Sequence, residues 1–356
     1  MQALSTTKEK GEKMKRSWFL ITLVFSLAAF IMPVHAIQPI PEETGFSGFV
    51  NVGIGAMEFE TNMISGNAIG DTGDDVITSL TDSPDSESSA TPVLNFEASY
   101  TFAESRTQIF AGNRLEDLVR YDLSTLVGIR QELKGKSIVS IAYVFTSFPT
   151  EVWEDPYVIN QKREETDRTS DGLRLGYDKI LGTKFEAEFT WRDVSLDDET
   201  SGQTQLVGSL ITADEAKLLD RNGDVYVTKL TYPFAFREKR HVIVPTLDYT
   251  MYDLDGDAMA FDRYGLLLSY LFNTEKFNLI TNLYVGRSEF DEENPIYDKT
   301  REDDVVGASL SAFWKKFLGV PKMSLVGTLA HYNSDSDIDF YDTTITMGTV
   351  SVLYRF

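Results

Sequence analysis

The sequence predicts an all-β fold, a transmembrane antiparallel up-and-down β-barrel of about 14 strands with short turns at one end and long loops at the other. Three observations predict it. An apolar leader ends in a small-residue cleavage site, segments of roughly ten residues alternate apolar with polar or small side chains, and short connections alternate strictly with long ones.

The leader comes first. Lys15 and Arg16 precede WFLITLVFSLAAFIM, 15 residues without a charge, and Pro33-Val34-His35-Ala36 places small residues where a signal peptidase reads. This basic, apolar, small-residue order is that of a secretory signal peptide, and the run is short for a spanning helix. Residues 1–36 are therefore expected to be removed, with Met14 as the natural start of translation. Residues 37–45 then form a short periplasmic segment and 46–356 the barrel. Residues 1–36 carry five basic and two acidic side chains, so the chain from Ile37 onward holds a net charge of −25 where the whole chain has −22.

Composition narrows the classes. With 42% apolar and 25% charged residues the chain is too apolar for disorder and too charged for a helical membrane protein. Its 55 acidic against 33 basic residues argue against nucleic acid as a partner, because phosphate binding needs a basic face. The chain has no cysteine, which excludes disulfides, thiolate metal sites, thiol nucleophiles and a lipid-modified N-terminal Cys.

The strands are read from period-two alternation. In Lys184-FEAEFTW-Arg192, residues Phe185, Ala187, Phe189 and Trp191 share one face while Lys184, Glu186, Glu188, Thr190 and Arg192 share the other. In 277–286 the apolar set Phe277, Leu279, Leu283 and Val285 opposes Asn278, Asn282 and Gly286. Similar segments cover 92–102, 119–130, 137–146, 224–234, 241–251, 262–272, 304–314 and 343–356. Segment 105–114 has the weakest pattern, and without it the count is nearer 12. A water-soluble sandwich must bury such faces on each other, whereas lipid covers all of them at once.

The connections fall into two sets. Short turns lie at 103–105, 133–136, 180–183, 237–240, 273–276 and 315–322; long loops lie at 60–91, 114–118, 149–170, 196–223, 253–259, 291–302 and 334–341. Phe102, Tyr177, Phe185, Phe234, Phe272, Phe277, Trp314 and Phe356 fall at the short-turn ends, and Tyr121, Phe145, Trp191, Tyr249 and Tyr264 at the long-loop ends. Two aromatic girdles at two lipid–water interfaces produce this banding.

The chain closes on TVSVLYRF, whose Val350, Val352, Tyr354 and Phe356 lie on one face. This ending resembles the C-terminal signature of Gram-negative outer-membrane β-barrel proteins. The resemblance implies an integral outer-membrane protein, lipid and lipopolysaccharide as surroundings, and a last strand recognised by the barrel-assembly machinery. The stretches LEDLVRYD, PTEVWEDPYV and LLDRNGD are similar to an uncharacterised barrel family of marine Gram-negative bacteria, a likeness that implies no activity.

Few residues suit chemistry. Apart from His35 in the leader, the histidines are His241, beside a short turn, and His331, at the outer rim in AHYNSDSD; neither pattern reads as an enzyme. Asp253-Leu-Asp-Gly-Asp257, Asp220-Arg-Asn-Gly-Asp224 and Ser334–Asp339 read as solvated turns, with weak divalent-cation binding as the alternative, because the EF-hand spacing is absent. Trp153 and Tyr157 read as loop anchors or as aromatics that stack on sugars. Thr212-Ala-Asp-Glu215 is a capping box that predicts a short helix inside the loop 196–223, either constricting the lumen or packing on other loops. Segment 60–91, acidic without a basic residue, reads as a mobile loop. No cofactor and no metal site is expected.

Inward positions of the predicted barrel carry Glu97, Asp122, Asp178, Glu186, Glu188 and Asp248 against Arg130, Arg174, Lys184, Arg192, Lys229 and Arg263. Such charges must be hydrated or paired. The leading functional expectation is a narrow porin-like channel for small hydrophilic solutes, and the alternative is an occluded barrel acting through acidic extracellular loops. Transport of hydrophobic substrates ranks lower, because no plug segment is read before Phe46.

Two tests follow from the sequence. N-terminal sequencing of membrane-inserted protein should find Ile37 first; a mature chain beginning at Met1 or Met14 would overturn the export reading. Phe356→Ser should lower the yield of heat-modifiable folded barrel far more than Phe148→Ser, and equal yields would remove the terminal aromatic from any role in assembly.

Overall fold

Fourteen strands close on themselves in the computed structural model, which describes residues 39–67, 70–71, 73–114 and 123–356. They are β1 (Gly45–Glu60), β2 (Ser86–Phe102), β3 (Thr107–Asn113), β4 (Leu123–Glu132), β5 (Ile138–Phe148), β6 (Glu165–Asp178) and β7 (Glu186–Leu196). The second half comprises β8 (Gly223–Thr231, continued by Phe234–Phe236), β9 (His241–Leu254), β10 (Phe261–Asn273), β11 (Phe277–Asn294), β12 (Lys299–Lys315), β13 (Met323–Ser336) and β14 (Thr343–Arg355). Each strand pairs antiparallel with the next, and β14 returns to pair with β1 from Phe49↔Arg355 to Glu60↔Thr344. The expected count of about 14 therefore holds, and the weakly patterned segment near 105–114 is the strand β3.

The two faces of the wall differ as a bilayer requires. Outward positions on β1 are Val50, Val52 and Ile54, on β10 Tyr264, Leu266 and Leu268, and on β14 Val350 and Tyr354, all exposed. The residues between them, such as Asn51, Ser269 and Ser351, are buried inside. An apolar surface that runs around the whole barrel far exceeds what a monomeric soluble protein leaves in water, so lipid covers it. Among the described residues no helix is long and apolar enough to cross a membrane; strands make the crossing. Phe102, Phe185, Phe234, Phe277, Phe356 and Trp314, the last 67% exposed, stand outward at the short-turn end. At the other end Trp191 donates its indole N–H to Asp224 at 2.7 Å and Tyr249 its hydroxyl to Asp262 at 2.6 Å, so aromatic rings hand over to carboxylates where the lipid stops. Tyr121 lies outside the described residues.

Strands are longer than their alternation suggested, chiefly at the long-loop end. Segment 60–91 is not one mobile loop: β2 already begins at Ser86, and Ile64–Asn67 pairs both with Gly70–Asp71 and with Thr150–Trp153. Thr150–Trp153 in turn pairs with the start of β6, and Ile77 bridges to Ile159. Two short helices, α1 (Gln203–Val207) and α2 (Ala213–Lys217), lie between β7 and β8. α2 carries the predicted capping box, with the Glu215 amide donating to Thr212 Oγ1 at 3.3 Å and the Thr212 amide to Glu215 Oε2 at 2.6 Å.

These connections share one apolar core. Ile77, Tyr157, Ile211, Leu219, Ala258, Met259, Ile338, Phe340 and Tyr341 are buried together, with Ile296 and Tyr297 against them. Six loops thus meet in a cap. Trp153 and Tyr157 are fully buried in it, which makes them anchors. The helix pair packs on this core through Leu206, Ala216 and Leu218. At the opposite end, the turns Lys179-Ile-Leu-Gly182 and Lys316-Phe-Leu-Gly319 repeat one conformation. Each sets its lysine, leucine and glycine at positive φ, and Leu181 and Leu318 are 87% and 78% exposed.

The cap and the barrel are separable by mutation. Tyr341→Ala removes a ring from the middle of the cap core, a truncation of the kind that costs about 3–5 kcal/mol. The loops should become cleavable by protease added to intact cells while the barrel keeps its heat-modifiable gel mobility. Loss of both together would show that cap and barrel fold as one unit.

Candidate functional site

The lumen is the candidate site, because strand alternation turns one face of every strand toward it. Glu97 on β2, Arg130 on β4, Arg174 and Asp178 on β6, Glu186, Glu188 and Arg192 on β7, Lys229 on β8, Asp248 on β9 and Arg263 on β10 all occupy inward positions. Lys184 does not: β7 begins at Glu186, and Lys184 sits exposed in the preceding turn. Asp122 lies outside the described residues.

Five of the inward charges fall in two ion-paired clusters; elsewhere Glu186 stands across from Asp178, Asp248 accepts from the Tyr284 hydroxyl at 3.3 Å, and Arg263 donates to Ser288 at 2.8 Å. In the first, Arg130 holds Glu97 through both guanidinium nitrogens at 2.8 and 2.7 Å, donates to Gln108 Oε1 at 3.0 Å and lies 3.8 Å above the Phe110 ring. In the second, Glu188 receives Arg114 at 2.8 Å, Arg174 at 3.8 Å and Lys229 at 3.9 Å. Arg174 also donates to Thr190 Oγ1 at 2.8 Å, and Arg192 to Ser124 and Ser170 at 2.7 and 2.5 Å. An isolated buried ion costs several kcal/mol, so pairing and hydroxyl contacts of this kind are what make the lumen tolerable. Arg114 was missed in the sequence because it follows β3 at a loop boundary, where alternation gives no face; it reaches from there to a strand four places around the wall.

Opposite this charged wall, β11 to β14 present small hydroxyls and amides. Asn282 donates to Ser309 at 2.9 Å, and Ser311 and Thr328 share a hydrogen bond at 3.0 Å. Apolar side chains fill part of the interior. Met57, Phe59, Val93, Ile345 and Met347 form one patch, Phe110, Leu126, Ala142 and Val144 a second, and Ile280, Phe313, Val326 and Leu353 a third.

Buried polar contacts organise both ends of the wall. Above the lumen, Arg163 is fully buried in the cap, donating to the carbonyls of Asn62 at 2.9 Å, Pro156 at 3.3 Å and Asp74, with its guanidinium 4.1 Å from the Trp153 ring. Burial pulls its pKa down to about 10. Arg221 pairs with Glu199 at 2.7 Å and donates to the Trp153 carbonyl at 2.7 Å. The Tyr157 and Tyr341 hydroxyls meet at 2.6 Å, and burial raises the pKa of both. At the short-turn end, Arg106 donates to the carbonyls of Ile40 and Pro41 at 2.6 Å each while pairing with Glu132 at 2.7 Å, and Ile40 is 2% exposed. Residues 39–44 thus run along the rim from β1 to the ends of β3 and β4, held by Arg106.

The remaining candidates do not face the lumen. His331 points outward on β13 with Nδ1 2.9 Å from Thr346 Oγ1, and His241 lies in the short-turn aromatic girdle, 2.8 Å from the Tyr270 hydroxyl. Asp220 accepts from the amide and side chain of Asn222 at 2.9 and 2.8 Å, a turn closure. Among the described residues no three His, Asp or Glu side chains converge as metal ligands.

Solved structures similar to this chain are membrane barrels of low sequence identity. The Pseudomonas aeruginosa FadL homologue is 9% identical, with 87% of this chain and 90% of that chain covered at a TM-score of 0.43. The COG4313 outer membrane channel from Pseudomonas putida F1 is 9% identical over 91% of this chain and 100% of that chain, at 0.43. OmpT of Vibrio cholerae lacking loop L8 is 9% identical over 87% and 99%, at 0.36. No curated protein matches the sequence. A family model matches residues 45–355, the whole barrel from the first residue of β1 to the last of β14, and the chain belongs to that family, the protein of unknown function DUF2860.

Proposed function

We propose that this barrel is an outer-membrane channel, narrow and closed at rest, for small hydrophilic solutes. The observation that carries the reading is the inward set of paired charges, Arg130–Glu97 and Glu188 with Arg114, Arg174 and Lys229, inside a wall whose outer face is apolar. A barrel that served only as an anchor gains nothing from such a lumen, since apolar packing would fill it at lower desolvation cost. Fourteen strands leave more room than the side-chain-filled 8-stranded kind and less than an open porin. The leader and the terminal Phe356 support export, signal-peptide cleavage and delivery by the barrel-assembly machinery to a Gram-negative outer membrane. There the aromatic-to-carboxylate rim would meet lipopolysaccharide.

A second reading, an occluded barrel acting through its extracellular surface, is favoured by one specific observation: the cap has a folded core of its own. The two readings part on conductance. In planar bilayers the wild-type protein should open rarely and to small currents, and Tyr341→Ala, which loosens the cap, should open more often. Under a KCl gradient the reversal potential should show modest cation preference at low salt, set by the acidic loops, and the preference should fade as salt screens them. Silence from both proteins would favour the occluded barrel, and anion preference would refute the electrostatic argument.

A further inference from the structure

The two rims of the wall carry opposite charge. The six short turns, 103–106, 133–137, 179–185, 237–240, 274–276 and 316–322, hold eleven Lys and Arg against three Glu, in a chain of 33 basic and 55 acidic residues. At the other end the connection 61–85 alone holds five Asp and no basic residue. Two of the turn cations meet at Glu132, Arg106 at 2.7 Å and Lys136 at 2.9 Å. Lys184, Arg237, Lys276 and Lys316 are exposed and, among the described residues, form no ion pair.

Their positions say what they meet. Lys184 precedes Phe185, Arg237 follows Phe236, Lys276 precedes Phe277, and Lys316 lies two residues past Trp314. Each of these rings is exposed on the outer wall. Aromatic rings mark the depth at which acyl chains give way to headgroups, so a cation one or two residues beyond each ring lies at headgroup level. A lysine or arginine there lays its stem along lipid and keeps its charge among the phosphates. Leu181 and Leu318, held out at positive φ in the two matching turns, add apolar side chains that the wall does not cover. A soluble acidic partner would leave the lipid-facing rings out of its contact, whereas a leaflet of anionic lipid meets rings, leucines and cations together. At the opposite rim Trp191 and Tyr249 donate to the carboxylates of Asp224 and Asp262, so attraction to anionic headgroups is confined to one end.

We propose that the short-turn end recruits anionic phospholipids, its basic turns holding their headgroup phosphates in the leaflet on that side. The inference needs the barrel in its bilayer and does not depend on whether the lumen conducts.

Tryptophan reports on both rims. From Ile37 onward the chain has Trp153, fully buried in the cap, Trp191 at the long-loop rim and Trp314 at the short-turn rim. The folded protein is placed in phosphatidylcholine vesicles that contain either brominated phosphatidylglycerol or brominated phosphatidylcholine. Quenching is read from Trp314 in a Trp191→Phe background and from Trp191 in a Trp314→Phe background. At low salt phosphatidylglycerol should associate with the Trp314 rim about fivefold better than phosphatidylcholine, the effect of one basic side chain near an anionic surface, and high salt should weaken the preference. Trp191 should show no such preference. Lys276 and Lys316 flank Trp314, since Phe277 pairs with Trp314 across β11 and β12. Lys276→Gln combined with Lys316→Gln should bring Trp314 to the level of Trp191. Heat-modifiable mobility reports folding, and Trp191→Tyr replaces Trp191→Phe if that variant does not fold. Equal quenching by the two lipids at Trp314, an equal preference for phosphatidylglycerol at Trp191, or a preference that survives loss of both lysines would each overturn the proposal; the first would leave the basic turns to a soluble polyanion.

Discussion

Everything in this molecule depends on closing one hydrogen-bond ladder. In lipid no water satisfies the backbone, so a sheet edge inside the membrane would leave a row of unpaired N–H and C=O groups. The seam between β14 and β1 removes that edge, with the Phe356 amide donating to the Gly48 carbonyl at 3.0 Å as its last link. Gly48 is required there. A Cβ at this position would come within 2.1 Å of the Glu97 carbonyl oxygen and 2.8 Å of the Phe356 ring. Once the seam is closed, the two faces of the wall, the lumen and the positions of the loops all follow from strand parity.

Where lipid touches the wall, the sequence was readable. Phe185, Ala187, Phe189 and Trp191 announce their strand because every outward position must be apolar, and the charged partners in between are assigned inward by parity alone. Above the lipid that pressure ends. The outward residues Glu58, Ser88 and Glu289 face water, the alternation fades, and the upper ends of β1, β2 and β11 look like loop although they are strand. Lys184 shows the same limit at the other end, since parity continues past the point where pairing stops. Least legible were the contacts between distant segments. Tyr157 and Tyr341 are 184 positions apart, and nothing local to either indicates that their hydroxyls meet.

The lumen shows how a barrel of intermediate width tolerates charge. Arg130 spends its guanidinium on Glu97, Gln108 and the Phe110 ring, and Glu188 gathers cations from three different strands or their ends. Such networks hold side chains in fixed places, which narrows the path while keeping it polar. The apolar patches do the opposite, filling space without offering a solute anything to exchange for its water. A polar strip lies between them, lined by the charged clusters on one side and by small hydroxyls and amides on the other.

The shared core of the cap has a consequence for how this surface changes over generations. Loops of an open pore can diverge one at a time, each answering to whatever meets it outside. Here a replacement at Leu219 alters the packing of Tyr157, Met259 and Phe340, which belong to three other loops. The face at the long-loop end is thus assembled from segments that must drift together, and a binder raised against any single loop peptide should meet a shape that exists only in the assembled whole.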